Sequence, residues 1–314
     1  MSALRTLLAH ARLLRPKRPA PSPQPSPRPE TSPQPSPRGR GGRRGEEAGR
    51  NPDVGRGLVA RRATQRARFS RERLARLRRI IGAPDDGLLP PIAVQLLASP
   101  LHLELLGDPS FPLRALGLVH VANTIDEHRA LPVGLGLDLS AFVEDIVSTA
   151  RGELLTLVTE ARVDGELVYR AKTTALQKAK RAAARSVERI AHVAPESELL
   201  RRELVAVPES TGRRYAGVAG DLNPIHQHAW LARPFGFRRA IAHGTWTLSR
   251  ALEVARDVLP AWPRTIACTF RKPVLLPSTI ALEVRRDASD VRLRAAWAER
   301  AEVEHLSAHI RRLA

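Results

Sequence analysis

The sequence predicts an α+β protein of two similar units, each an antiparallel sheet wrapped around a central helix. Two stretches carry this reading. Ile92 to Leu106 is apolar enough and too long for one strand, so it reads as a buried helix. It is followed by Leu116 to Ile125, a strand with both faces covered, and by alternation through Val143 to Leu176, broken at the turn pair Asp164-Gly165. The same succession then recurs. From Gly244 onward, Leu248, Leu252, Ala255 and Leu259 keep helical spacing, and four alternating segments follow: Arg264 to Phe270, Ser278 to Arg286, Val291 to Ala298 and Val303 to Arg311.

The remaining elements fall between these. Residues 1–68 form a Pro/Arg-rich extension, in which S-P-Q-P-S-P-R recurs at Ser22 and Ser32. Repeated Pro and Ser without apolar periodicity cannot bury a core, so the extension is expected to be disordered. The first unit covers 69–177 and opens on a basic amphipathic helix, Arg71 to Ile81, with Leu74, Leu77 and Ile81 on one face. Gly82 to Pro91 reads as a loop. Residues 178–201, rich in Lys, Arg, Ala and Glu, read as a solvated linker, and 202–314 as the second unit, with a short helix within Pro208 to Ala219.

Charge and cysteine content narrow the function classes. The net charge of +19 suggests a polyanion partner, but residues 1–80 hold 21 Lys/Arg against 5 Asp/Glu and the other 234 hold 30 against 27. The folded part is nearly neutral, so no nucleic-acid partner is expected of it. For the extension, a transit peptide, a polyanion-binding tract and an extension without function compete. A composition rich in Arg, Ala, Leu and Pro suits a GC-rich bacterial gene and favours the last. A single cysteine, Cys268, excludes an internal disulfide and a multi-cysteine metal site. No apolar run is long enough to span a bilayer and the start has no secretory h-region, so a cytoplasmic protein without membrane contact is expected.

The chemistry concentrates in Tyr215 to Trp246. Asp221, Asn223, Pro224 and His226 fall within six residues, and His243-Gly244 opens the second apolar helix. Asn-Pro favours a turn, so Asp221 and His226 project from the arms of one bend. A carboxylate beside an imidazole can hold one water and move its proton either way. Gly244 leaves the start of the helix open, where unpaired N–H groups face a developing oxyanion. His226, His228, His243 and Asp221 could in principle ligate Zn²⁺. That reading leaves the Pro turn and Gly244 unexplained, so no metal is assigned. His228 and His243 are read as structural or solvent-facing, as are His102, His120 and His128 of the first unit.

D-L-N-P-I-H (Asp221 to His226), with G-F-R-R-A-I-A-H-G-T-W (Gly236 to Trp246) and F-R-K-P-V-L-L-P (Phe270 to Pro277), resembles the MaoC-like family of (R)-specific enoyl-thioester hydratases and 3-hydroxyacyl-thioester dehydratases. The resemblance implies the hotdog fold. P-L-H-L-E-L-L (Pro100 to Leu106) and Phe111 to Ile125 resemble the N-terminal half of its double-hotdog members, a half that lacks the D-x-N-x-x-H motif here. By position, Asp221 and His226 resemble the catalytic pair, Asn223 the residue that holds the loop, and Gly244 the amide that binds the thioester carbonyl. Two positions depart from the family's habit: Ala219 stands where Ser is common and Thr245 where Met is common. The implied substrate is an acyl thioester of CoA or acyl carrier protein, hydrated at a trans-2 double bond or dehydrated from the (3R)-hydroxy form. No cofactor is required, since the thioester itself acidifies Cα, and the chain is expected as a monomeric pseudo-dimer or a homodimer. A non-catalytic acyl-thioester-binding subunit is the alternative, against which the intact D-L-N-P-I-H weighs.

Overall fold

The protein is described here by a computed structural model covering residues 61–178 and 197–313. Most of the extension, with its expected disorder, and most of the expected linker lie outside the described residues. The strands are β1 (Arg62–Ala67), β2 (Val119–Glu127), β3 (Leu137–Thr149), β4 (Gly152–Val163), β5 (Glu166–Lys178), β6 (Glu198–Val207), β7 (Arg264–Phe270), β8 (Ser278–Asp287), β9 (Asp290–Trp297) and β10 (Glu304–Arg312). The helices are α1 (Arg71–Ile81), α2 (Ala93–Leu97), α3 (Ser99–Leu106), α4 (Thr211–Ala219), α5 (Ala229–Ala232) and α6 (Gly244–Val254).

The two expected sheets are joined. One antiparallel sheet runs β1-β3-β4-β5-β2-β7-β10-β9-β8-β6, so five strands from each half meet where β2 pairs with β7. Beside that seam Arg264 donates to Glu127 at 2.7 Å, both side chains buried, and Thr265 donates to Asp126 at 2.7 Å. Burial pushes the Glu127 carboxyl up, and the Arg264 guanidinium opposes that shift. A buried pair of this kind adds little net stability, but removing one partner strands a charge at a cost of about 3–5 kcal/mol. Its two partners stand directly opposite each other where β2 pairs with β7.

Both edge strands differ from expectation. β1 lies in the stretch expected to be extension, and β6 begins at Glu198, inside the expected linker. An edge strand needs only one covered face. β1 (R-A-T-Q-R-A) buries only Ala63, and β6 exposes Leu204, so neither shows apolar alternation strong enough to read. β3 begins at Leu137, six residues earlier than expected, while the β4–β5 hairpin turns at Asp164-Gly165 with both residues at positive φ.

The helix expected over Ile92 to Leu106 is two helices, broken at Ala98. Pro100 causes the break, because it has no N–H to return to the Leu96 carbonyl. That carbonyl accepts instead from the Arg73 guanidinium at 2.8 Å, and the Leu97 carbonyl accepts from Gln65 Nε2 at 3.0 Å. In the second half, α6 lies unbroken across β8, β9 and β10 and buries Trp246, Leu248, Ala251, Leu252 and Val254. Each of the two leucines contributes about 1.5–3 kcal/mol by burial. The halves thus differ in one respect that matters: the second has a filled core under its sheet, and the first has room beside its broken helix.

Helix α1 ties the halves together. Ser70 caps it by accepting from the Arg73 amide, Leu74, Leu77 and Ile81 are buried as the spacing predicts, and Gly82 ends it in the left-handed conformation. Arg73 also donates to the Val218 carbonyl at 2.8 Å, and Trp246 Nε1 donates to the Ile80 carbonyl at 3.1 Å.

Candidate active site

Helix α4 aims the chain into the site. It ends at Gly220 in the left-handed conformation (φ +75°), with the Gly220 amide donating to the Ala216 carbonyl, and the chain turns sharply into Asp221. Asp221 Oδ1 accepts from the Asn223 amide at 3.1 Å, Asn223 Oδ1 accepts from the Ile225 amide at 3.4 Å, and Pro224–His226 close one 3₁₀ turn. Two side-chain-to-backbone bonds thus fix the bend that the Asn-Pro pair begins. Gly212, near the start of α4, lies against the far side of this turn, and a Cβ there would overlap the His226 carbonyl oxygen.

The bend places His226 Nε2 3.9 Å from Asp221 Oδ2. His226 Nδ1 lies 2.9 Å from the Ile241 carbonyl, which can only accept. The proton of the neutral ring therefore sits on Nδ1, and Nε2 keeps a free lone pair on the Asp221 side. Burial pushes the His226 pKa down, with the Asp221 carboxylate opposing the shift. For Asp221, burial pushes the carboxyl up, but His243, His226 and the Asn223 amide outweigh it and hold the pKa at about 2. Its side chain remains 40% exposed towards the cavities described below. The resting pair at neutral pH is a carboxylate beside a neutral imidazole.

His243, expected to be structural or solvent-facing, is a member of the cluster. It is 3% exposed, stacks on the His226 ring at 3.6 Å between centroids and lies 3.7 Å from Asp221 Oδ2. Its Nε2–H donates to the Asp221 carbonyl at 3.3 Å, while Nδ1 is buried without a hydrogen-bond partner among the described residues. Protonating Nδ1 would bury an unpaired N–H, and burial pushes the ring pKa down to about 3. Asp221, His226 and His243 offer ligand atoms within 4.8 Å of one another. The two rings are stacked only 23° from parallel, so their nitrogen lone pairs do not converge on one point as tetrahedral coordination requires. His228 lies apart from the cluster, near Arg213 and stacked on Trp230.

Gly244 begins α6 directly after His243, and the first amides of the helix open on the same cavity as Asp221, Asn223 and His226. Phe270 of β7 covers Gly244 so closely that a Cβ would stand 3.0 Å from the ring. Any larger residue would displace either that ring or the start of the helix.

Two cavities meet at this point. One lies beside the broken helix and is walled by Leu96, Leu103, Leu106, Leu116, Leu155 and Leu157. The other runs along Phe270 to Val274 and is lined by Arg271, Lys272 and His305. Leu118, His120, Asp221, Asn223 and Thr245 line both. Asp221 therefore stands where a leucine-walled space, mainly from the first half, meets a space that carries Arg271, Lys272 and His305 of the second. His120, like His243, is a site residue that sequence reasoning set aside: on an apolar strand it reads as core.

The first half has no such cluster at the corresponding place. The loop after Gly82 carries Asp85 and Asp86, but Arg78 donates to Asp85 and Arg256 to Asp86, so both carboxylates are paired with guanidinium groups rather than imidazoles.

Residues 191–306 match the family model for the MaoC like domain. A curated relative, 3-hydroxyacyl-thioester dehydratase X of Mycobacterium tuberculosis, is 30% identical over 194 residues, which span 60% of this chain and 66% of that protein, just under two thirds of its length. The crystal structure of HtdX from Mycobacterium tuberculosis superposes with a TM-score of 0.70 at 26% identity, over 80% of this chain and 99% of that one. Residues 191–306 are thus similar in sequence to the MaoC like domain, and the chain as a whole is similar in fold to HtdX. A MaoC-like dehydratase from Phytophthora capsici, at 16% identity, shares the fold with a TM-score of 0.64 over 81% of this chain and 96% of its own. The MaoC-like match spans β6 to β9 and all four residues of the predicted site, while the long structural matches take in the first half as well.

Proposed function

We propose that the protein is a 3-hydroxyacyl-thioester dehydratase, a hydro-lyase that reversibly hydrates trans-2-enoyl-CoA or enoyl-carrier-protein to the (3R)-hydroxyacyl thioester. One observation carries this reading: the Asp221 carboxylate lies 3.9 Å from the free Nε2 of a neutral His226 and lines both the leucine-walled cavity and the one that carries Arg271 and Lys272. In hydration, a water at that point gives one hydrogen bond to Asp221 and the other to His226 Nε2. As its oxygen attacks Cβ, His226 takes the proton and Asp221 stabilises the resulting imidazolium. Charge passes to the thioester oxygen, where the Gly244 amide and the start of α6 stabilise the enolate. His226 then delivers the proton to Cα, so one water is added and both residues return to their starting state. Dehydration runs the same path backwards. The acyl chain occupies the leucine-lined cavity of the first half, and the pantetheine arm runs past Phe270 towards Arg271 and Lys272.

The family, the 30% relative and the intact D-L-N-P-I-H support this reading over a non-catalytic acyl-binding subunit. One chain supplies both hotdog halves and so stands in for a dimer. Among the described residues no helix is long and apolar enough to cross a membrane. The test is to mix purified protein with crotonyl-CoA and longer trans-2-enoyl-CoAs and follow the conjugated enoyl absorbance. Loss of absorbance with formation of the 3-hydroxyacyl-CoA is expected. No turnover of any enoyl-CoA or enoyl-carrier-protein would overturn it.

A further inference from the structure

The leucine-walled cavity contains polar groups that an alkyl chain would leave unserved. His120 on β2, and His102 and Ser99 on α3, all line it. His102 Nε2 bonds Thr159 Oγ1 at 2.7 Å, but neither His102 Nδ1, the His120 ring nor Ser99 Oγ forms a hydrogen bond within the described residues. Gln95 and Thr173, which also line the cavity, are in contrast satisfied by each other and by Asn123. The unserved groups come from two different elements and face one space. Filling that space with a plain alkyl chain removes water from them and supplies no replacement partner.

We propose that His102 and His120 form an oxygen-recognising subsite, so that the preferred acyl chain carries a hydroxyl or carbonyl group beyond C3. This rests on the reading of the cavity as the acyl site. The ligand is a neutral oxygen rather than a carboxylate. Burial disfavours the protonated form of both rings, and Asp221 stands on the same cavity wall, so a second carboxylate would meet repulsion without a cation. A neutral imidazole both donates and accepts, which suits a hydroxyl, and its N–H alone suits a carbonyl. A pocket that hydrogen-bonds a substrate oxygen discriminates against the analogue lacking it, because its own polar groups are then left bare.

The test measures binding, which is independent of turnover. Octanoyl-CoA and its 5-oxo, 6-oxo and 7-oxo analogues are titrated calorimetrically against the full-length protein and against His102→Leu and His120→Leu. At least one oxo analogue is expected to bind about tenfold more tightly than octanoyl-CoA to the wild type. That preference is expected to shrink to under about threefold in either variant, with octanoyl-CoA binding to His102→Leu unchanged or tighter. Equal or weaker binding of all oxo analogues by the wild type overturns the proposal, and so does failure of all four ligands to bind. The wild-type comparison stands even if a variant fails to fold. An oxo preference in a protein that hydrates no enoyl thioester would leave the subsite standing and remove the dehydratase reading instead.

Discussion

Asp221, Asn223 and His226 were legible because their types and spacing state a turn and a proton-transfer pair before any fold is known. His243 was not. A lone histidine before a helix is usually a cap or a surface group, and only the fold stacks it on His226. The buried rings make a testable acid response. Burial lowers the pKa of His226, of His102 to about 4 and of His243 to about 3, against 6.5 in an unfolded chain. Below about pH 6.5 the unfolded chain therefore takes up protons that the folded one refuses. The stabilisation is complete above that pH and is lost as pH falls towards 3. Asp221, with its pKa at about 2, acts in the same direction at lower pH. The thermal midpoint should fall steadily from pH 7 to pH 4, while the acid limb of kcat/KM lies below pH 6.5. An acid limb at or above 6.5 would mean that the base is not the buried His226. Gly212 offers a second check at this scale. Gly212→Ala pushes on the His226 carbonyl, so kcat should fall about tenfold or more, against little change for Gly217→Ala on the open side of the same helix.

At the scale of elements, alternating strands and helices with apolar stripes were read nearly to the residue, as for β7, β8 and α1. The edge strands β1 and β6 were not, since an edge needs few apolar residues. The break at Ala98 was written in Pro100, but the leucines around it argued for continuity. The edge role of β1 separates two truncations. Removing residues 2–57 keeps β1, and the thermal midpoint should be unchanged. Removing residues 2–68 deletes β1, its pairing with β3, and the ion pair of Arg62 with Glu160 at 2.8 Å. That truncation should lower the midpoint by several degrees or more. Equal midpoints would show that β1 contributes nothing to the fold.

For the whole molecule, the repeated helix-then-strands pattern foretold two halves, but the β2–β7 pairing that fuses them lay beyond sequence reasoning. Strand partners in separate halves leave no local trace. The fusion bears on the proposed function, because the leucines that wall the cavity come from one half and the proposed acid–base pair from the other. With Asp85 and Asp86 held by Arg78 and Arg256, the first half has no acid–base pair of its own, so a tight, non-reactive enoyl-CoA analogue should titrate one site per chain. Two sites per chain would contradict the asymmetry. The space beside the broken helix should also favour medium or long acyl chains over four carbons in kcat/KM, since each further buried CH₂ adds about 0.8 kcal/mol of binding.

All of this depends on Asp221 and His226 acting together on one water. The most direct test compares kcat for enoyl-CoA hydration in the wild type, Asp221→Asn and His226→Ala, with folding checked by circular dichroism. Asp221→Asn keeps the shape and removes the charge, and His226→Ala removes the Nε2 lone pair that faces it. Each should lose at least about 10²-fold in kcat while remaining folded. Hydration at the wild-type rate by either folded variant would contradict the account.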